Sequence, residues 1–378
     1  MIPRLLTPGP TPLPPDVLAA LGQPIVHHRT PQFQAILKEV AEGLQAVFRT
    51  SWPVYVFASS GTGAMEAAVV NLLSAGDGAV VIRGGKFGER WGELCQAYGI
   101  RAIPLDVPWG QAPAPARVGQ ALREHPSAKA VFATLCETST GVAQDVQGYA
   151  AVVRGTPAVL VVDAISGLGA ERLETEGWGV DVVVAGSQKG LMLPPGLAFI
   201  TASPKAWRLM GASTAPKYYF SLPLAKQVWE QEQDTPFTPA ITLIVALAAA
   251  LRLIGREGLD RILERHRRHA EAIRHAVQAM GLELYAHPAC AAQAVTAIKV
   301  PDGIDGKALV RTMRQAHGVT IAGGQAELSG KIFRIASMGY IQAEDIRVAI
   351  ATLEQVLREL GWTFPARAGT KALEAVLA

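Results

Sequence analysis

The sequence predicts an α/β fold: a mainly parallel sheet flanked by helices, followed by a smaller C-terminal α+β domain. Three observations carry this. Short apolar runs such as Val159-Leu160-Val161-Val162 and Val182-Val183-Val184 alternate with helical patterns, the mark of βαβ units. The character changes near residue 255, where a long helix rich in Arg and His begins. The length of 378 residues suits two domains. The expected divisions are an extended arm over 1–15, a large domain over 16–257 and a small domain over 258–378.

The elements follow in order. Pro3, Pro8, Pro10, Pro12, Pro14 and Pro15 exclude an ordinary helix from the arm. Asp16–Leu21 reads as a short helix with Asp16 as its N-cap. Phe33, Ile36, Leu37, Val40, Leu44 and Val47 recur at the helical period and predict a helix over Phe33–Phe48. Strands are expected at Val54–Ala58, Ala79–Ile82, Ala130–Leu135, Ala158–Val162, Val180–Ala185 and Leu197–Thr201. Helices are expected at Ala64–Leu73 and Gly88–Tyr98. In the C-terminal part, helices at Leu259–Met280, Gly306–Gln315 and Ala343–Leu360 accompany strands at Val295–Val300 and Lys331–Ala336. No internal repeat is visible.

Composition narrows the function. Only 18% of residues are charged, against about 25% in average soluble domains. That disfavours disorder and predicts much buried surface, part of it between subunits. A net charge of +3 is too small to indicate a nucleic-acid partner. Cys95, Cys136 and Cys290 are odd in number and form no CxxC pair. This argues against a disulfide framework or a cysteine-rich zinc site and suits a reducing cytoplasm. The N-terminus shows no signal-peptide pattern. The apolar stretch Ile241–Leu251 is shorter than the ~20 residues that span a bilayer. The run Arg265-His266-Arg267-Arg268-His269 reads as a solvated helix face. His266 and His269 lack a convergent third ligand, so no metal is expected.

Three places carry chemistry. Ser59-Ser60-Gly61-Thr62-Gly63-Ala64-Met65-Glu66 follows a strand and opens a helix. Small residues there let backbone amides approach a phosphate at a helix N-terminus. It is only part of a dinucleotide fingerprint, because Glu66 stands where the third Gly belongs. Asp163 follows a buried strand, at the edge where ligands of open α/β sheets bind. Lys189 follows another apolar strand and is enclosed by Leu191-Met192-Leu193-Pro194-Pro195-Gly196. Desolvation in such a loop lowers a lysine's pKa and makes it a nucleophile. Singly, each has a plain reading: a tight turn, a capping acid, a surface lysine. Together they meet the needs of pyridoxal phosphate, which requires an anchored phosphate, a lysine for its aldehyde and an acid for its ring nitrogen.

At these residues the chain resembles the class V aminotransferases of the type I pyridoxal-phosphate fold. Within them it is most similar to the alanine–glyoxylate and serine–pyruvate aminotransferases. The resemblance runs from Thr7-Pro8-Gly9-Pro10 to Phe333-Arg334-Ile335. It implies that Lys189 is the Schiff-base lysine and proton shuttle, and that Asp163 partners the pyridine nitrogen. Ser60, Gly61 and Thr62 match the phosphate-binding turn, with Gln188 near the phosphate. Phe87 matches the aromatic that stacks on the ring, where many relatives carry Trp. Thr138 matches the residue that hydrogen-bonds the phenolic oxygen. Arg334 matches the arginine that grips the substrate carboxylate, a pairing suited to a planar guanidinium. Gly9 matches a glycine approaching the same carboxylate. Thr238, in Thr235-Pro236-Phe237-Thr238-Pro239, matches the loop reaching the other subunit's phosphate, so a homodimer with shared sites is implied. Some relatives have Tyr where Thr235 stands. His28 and Arg29 lie at the active-site end of the arm in relatives, as substrate or subunit contacts or as structural residues.

The resemblance implies an aminotransferase acting on small amino acids and 2-oxo acids: alanine or serine as donor, glyoxylate or pyruvate as acceptor. Alternatives are a lyase or aminophosphonate aminotransferase of the same fold, a non-catalytic accessory subunit, or a dinucleotide-binding domain. Cysteine desulfurases of this fold carry His before the lysine and a mobile catalytic Cys. Here Gln188 precedes Lys189, and Cys290 reads as a small core residue.

Overall fold

The computed structural model describes residues 3–378. A seven-stranded sheet lies at its centre, in the order Val54–Phe57, Ala198–Ala202, Val182–Gly186, Val159–Asp163, Ala128–Thr134, Gly78–Arg83 and Arg101–Asp106. Every strand runs parallel to the others except Ala198–Ala202, which is antiparallel to both neighbours. The sheet is thus mainly parallel, as predicted.

The central strands are buried at every position because helices cover both faces. Successive side chains alternate between them. Leu160, Val162, Val183 and Phe199 join a core with Phe33, Leu44 and Ile244. Val159, Val161, Val184 and Ile200 join the opposite core with Met65, Trp91 and Phe132. The helix Pro31–Phe48 starts where Thr30 accepts from Phe33 N at 3.3 Å, and it buries Phe33, Leu37, Val40, Leu44 and Val47.

Several elements differ from expectation. Arg101–Asp106 forms an edge strand that the pattern did not predict. Its polar positions face solvent, and Pro104 is tolerated at an edge. Ile241–Leu251 begins a helix that continues to Glu257; it packs on Pro31–Phe48 and Pro15–Leu21. Helices at Pro115–Glu124, Val146–Val153, Leu222–Glu232 and Ala368–Leu377 were also unpredicted. Asp16 is not an N-cap. Pro14 occupies the cap and Pro15 the first helical position, which needs no N–H donor. Asp16 instead pairs with Arg256 at 2.7 Å.

The basic run is not a solvated face throughout. Arg267 and Arg268 are exposed, but His266 is 0% and His269 4% exposed. The helical period places both histidines beside the inward residues Ile262, Ala270 and Ile273. His266 Nδ1 lies 3.0 Å from the Gly169 carbonyl and Nε2 3.3 Å from that of Gly339. Burial, with Arg265 beside it, pushes His266 down to about 3. Cys290 is half-buried rather than a core residue, with its thiol 3.7 Å from the Gly110 carbonyl.

A second sheet, Val295–Lys299, Ile332–Ala336 and Ala322–Gly323, has Ile332–Ala336 in the middle. Its core includes Phe333, Ile335, Ile273, Ile350 and Leu353. The arm is bound to this part. Arg4–Leu5 pairs in parallel with Val319–Thr320. The Leu6 carbonyl accepts from Ala336 N at 2.9 Å, and Arg4 pairs with Asp345. The arm then runs to the loop after Val182–Gly186, where Thr11 N donates to the Gln188 carbonyl at 3.3 Å. Among the described residues no helix is long and apolar enough to cross a membrane.

Candidate active site

Lys189 sits on a loop closed by Ser187. The Ser187 hydroxyl donates to the Pro194 carbonyl at 2.7 Å and accepts from Leu197 N at 3.1 Å. The Lys189 carbonyl accepts from Thr11 Oγ1 at 3.1 Å and Met192 N at 3.0 Å. Its Nζ donates to the Pro8 carbonyl. Loss of solvent pulls the ammonium down to about 8, against the attraction of Asp163 and with the repulsion of Arg334. Gly9 has φ +125°, and a Cβ there would collide with the Lys189 side chain. Gly9→Ala is therefore expected to displace Lys189 and to slow its covalent capture of an added aldehyde, followed by absorbance. Capture at the wild-type rate would show that the arm does not set the lysine's position.

Asp163 ends its strand beside Val184 and is 3% exposed. Its Oδ1 accepts from Ile165 N at 2.7 Å, so the turn role that a lone Asp suggests is present as well. Burial pushes the carboxyl up to about 7, and the nearby Glu137 adds to this, while Arg90 and Lys189 oppose it.

The helix Gly61–Leu72 starts beside these residues. Ser60 is its cap in extended conformation, without a side-chain capping bond. The first amides of a helix have no intrahelical acceptor. Gly61 packs closely against Ile165 and Gly186, so a side chain there would fill the turn. Gln188 Oε1 is buried without a hydrogen-bond partner and lies against Gly186. Thr62 Oγ1 accepts from Arg90 at 3.2 Å, and the Arg90 guanidinium lies 4.9 Å from the centre of the Phe87 ring.

Thr138 Oγ1 donates to Ser166 Oγ at 2.7 Å. The Thr138 carbonyl accepts from Arg334 Nη1 at 2.8 Å. Arg334 is 5% exposed; its Nε and Nη2 donate to the Gly323 carbonyl at 3.0 and 2.7 Å. Burial lowers it to about 10, so it stays charged at neutral pH. It forms no ion pair among the described residues. Two of its five N–H donors remain open after these three bonds.

The chain thus gathers Gly9, Asp163, Lys189 and Arg334 at one place. Ser60, Gly61, Thr62, Phe87, Thr138 and Gln188 connect to that place through the contacts above. Thr238 lines an apolar pocket with Leu37, Tyr219, Trp229 and Phe237, and Lys189 is not in that lining. Arg29 pairs at 2.7 Å with the buried Asp234 beside that loop. The His27 and His28 rings lie 4.9 Å apart. Sequence reasoning missed Pro8, Thr11, Arg90 and Glu137. For Glu137 the one signal lies far along the chain, at Gly85, where a Cβ would collide with its carboxylate.

The family pattern described as "Aminotransferase class-V" matches residues 5–349. The chain belongs to the class V aminotransferases. This aminotransferase is 43% identical to a "Soluble hydrogenase, small subunit" of Synechococcus sp., covering 99% of this chain and 98% of the relative. It is 35% identical to an L-aspartate–glyoxylate aminotransferase of Paracoccus denitrificans, covering 98% and 95%. The structure of an alanine–glyoxylate aminotransferase from Nostoc sp. superposes with a TM-score of 0.91 at 32% identity, covering 95% and 96%. The fold and the aminotransferase activity implied by the sequence resemblance therefore hold. The enzyme is an aminotransferase of a family that implies pyridoxal phosphate, and the lyase and accessory-subunit alternatives are not favoured.

The residues present fit that cofactor. The turn at Gly61 has no room for a side chain and leaves the first helix amides free to donate to a phosphate, and a desolvated Lys189 lies near Asp163.

Proposed function

We propose that this class V aminotransferase moves the amino group of alanine or serine to glyoxylate or pyruvate, as a cytoplasmic homodimer with shared sites. The observation that carries the reading is Arg334: a buried guanidinium without a carboxylate partner, beside a desolvated lysine. Such a pair suits a substrate with a carboxylate and an amine on one carbon. The names of the relatives support small 2-oxo acids as acceptors.

When bound, pyridoxal phosphate supplies the carbonyl that carries the amino group and a ring that takes up electrons from Cα. The chain's own residues do the rest. Ser60, Gly61, Thr62 and Gln188 would hold the phosphate, with Thr238 of a second copy. Asp163 would hold the ring nitrogen and Thr138 the phenolic oxygen, and Phe87 would cover one ring face. Arg334 and Gly9 orient the substrate so that its Cα–H faces Lys189. Lys189, in its neutral form, takes the Cα proton and later returns one.

The homodimer is supported by Tyr218 and Ile25, which are 77% and 71% exposed, by Thr238 lying in a pocket whose lining leaves out Lys189, and by the charge-poor composition. Three free thiols suit a reducing compartment. The test combines borohydride reduction, peptide mapping and a donor–acceptor activity matrix. We expect a pyridoxyl adduct on Lys189 and turnover with alanine or serine plus glyoxylate or pyruvate. An adduct elsewhere, or no half-reaction with any amino donor, overturns the reading.

A further inference from the structure

The Glu137 side chain is saturated with hydrogen bonds in an unusual way. The residue is 1% exposed. Its Oε1 accepts from Ser139 Oγ at 2.5 Å, Ser139 N at 3.2 Å and Phe87 N at 3.3 Å. Its Oε2 accepts from Gly88 N at 2.9 Å and Phe87 N at 3.1 Å. Both oxygens face donors only, as an ionised carboxylate requires. The carboxylate reaches them because residue 85 is glycine: a Cβ there would collide with Glu137.

These bonds join two parts of the site. On one side they fix the first turn of the helix Lys86–Ala97, which carries Phe87. On the other they fix the turn Glu137–Ser139, whose Thr138 carbonyl accepts from Arg334. Glu137 makes no direct bond to Arg334, although its charge favours the guanidinium. An unsaturated carboxylate at this place would compete with the substrate for Arg334.

We propose that Glu137 is a positioning residue of the aminotransferase: its buried carboxylate fixes the ring of Phe87 relative to the guanidinium of Arg334 and leaves that guanidinium open to the substrate carboxylate. This rests on the roles read above for Phe87 and Arg334.

The test is Glu137→Gln in the holoenzyme. Glutamine keeps the shape but sets an NH2 against N–H donors. The visible circular dichroism of bound pyridoxal phosphate is expected to change, because the ring's neighbour moves. KM for alanine is expected to rise by roughly tenfold or more, because Arg334 shifts from the substrate carboxylate, and kcat to change less, as lost ground-state binding produces. Far-UV circular dichroism is expected to stay as in the wild type. If this variant does not fold, Gly85→Ala, which presses on the carboxylate from outside, is expected to give the same signature. An unchanged visible spectrum with an unchanged KM, beside a wild type that binds pyridoxal phosphate at Lys189, overturns the proposal alone. A wild type that binds none overturns the reading of the site and the proposal with it.

Discussion

Lys189→Ala will end covalent capture of pyridoxal phosphate and with it transamination. The variant loses the only amine that the described residues place beside Asp163 and Arg334, and with it the base facing the substrate's Cα. Positioned acid–base groups contribute about 10²–10⁴-fold, and loss of the covalent attachment adds to that. The protein should be colourless with pyridoxal phosphate, and borohydride should leave no adduct on the loop. A yellow variant with residual turnover near the wild-type rate would show that another lysine serves.

The pH dependence of the wild type supplies a sharper check. Capture needs the neutral amine. With Lys189 lowered to about 8, about a tenth is neutral at pH 7, against about three in ten thousand for an ordinary lysine. The initial rate of capture by the apo protein should therefore climb about tenfold per pH unit below 7 and level off above 8. A rate still climbing through pH 10 would mean that the lysine is not desolvated.

Arg334→Ala has the second largest expected effect. It removes the site's cation and leaves the Thr138 and Gly323 carbonyls without their donors. Truncating one partner of a desolvated charge pair costs about 2–5 kcal/mol, which predicts a rise in KM for the amino donor of about 30-fold to several thousand-fold. Arg334→Lys should fall between the two, because an ammonium keeps the charge but not the planar fork. Capture of pyridoxal phosphate at Lys189 should persist in both. Saturation kinetics with alanine check this; a KM within twofold of wild type would mean that another cation binds the carboxylate.

The sheet was legible because its strands are apolar without interruption, and Asp163 and Lys189 were legible because each breaks such a run at its end. Arg101–Asp106 was not, since a half-exposed edge strand with Pro104 gives no apolar run. The histidines were misread because a run of charge was taken as one surface. A helix turns 100° per residue, so His266 and His269 point inward while Arg267 and Arg268 do not. Glu137 was hidden for another reason. Its partners Phe87 and Gly88 lie about fifty residues away, and nothing local in Cys136-Glu137-Thr138 announces them.

The arm sets an order of events during synthesis. Arg4 and Asp345 are 341 residues apart, and at about 5–20 residues per second the ribosome needs roughly 17–70 s to make that interval. For most of that time the arm has no strand to pair with, because Val319–Thr320 does not yet exist. The Pro8 carbonyl and the Thr11 hydroxyl can find the Lys189 loop only as a loose end searching for its place. The nascent chain therefore carries its future lysine pocket open, and the pocket is fastened when almost the last of the C-terminal sheet has emerged.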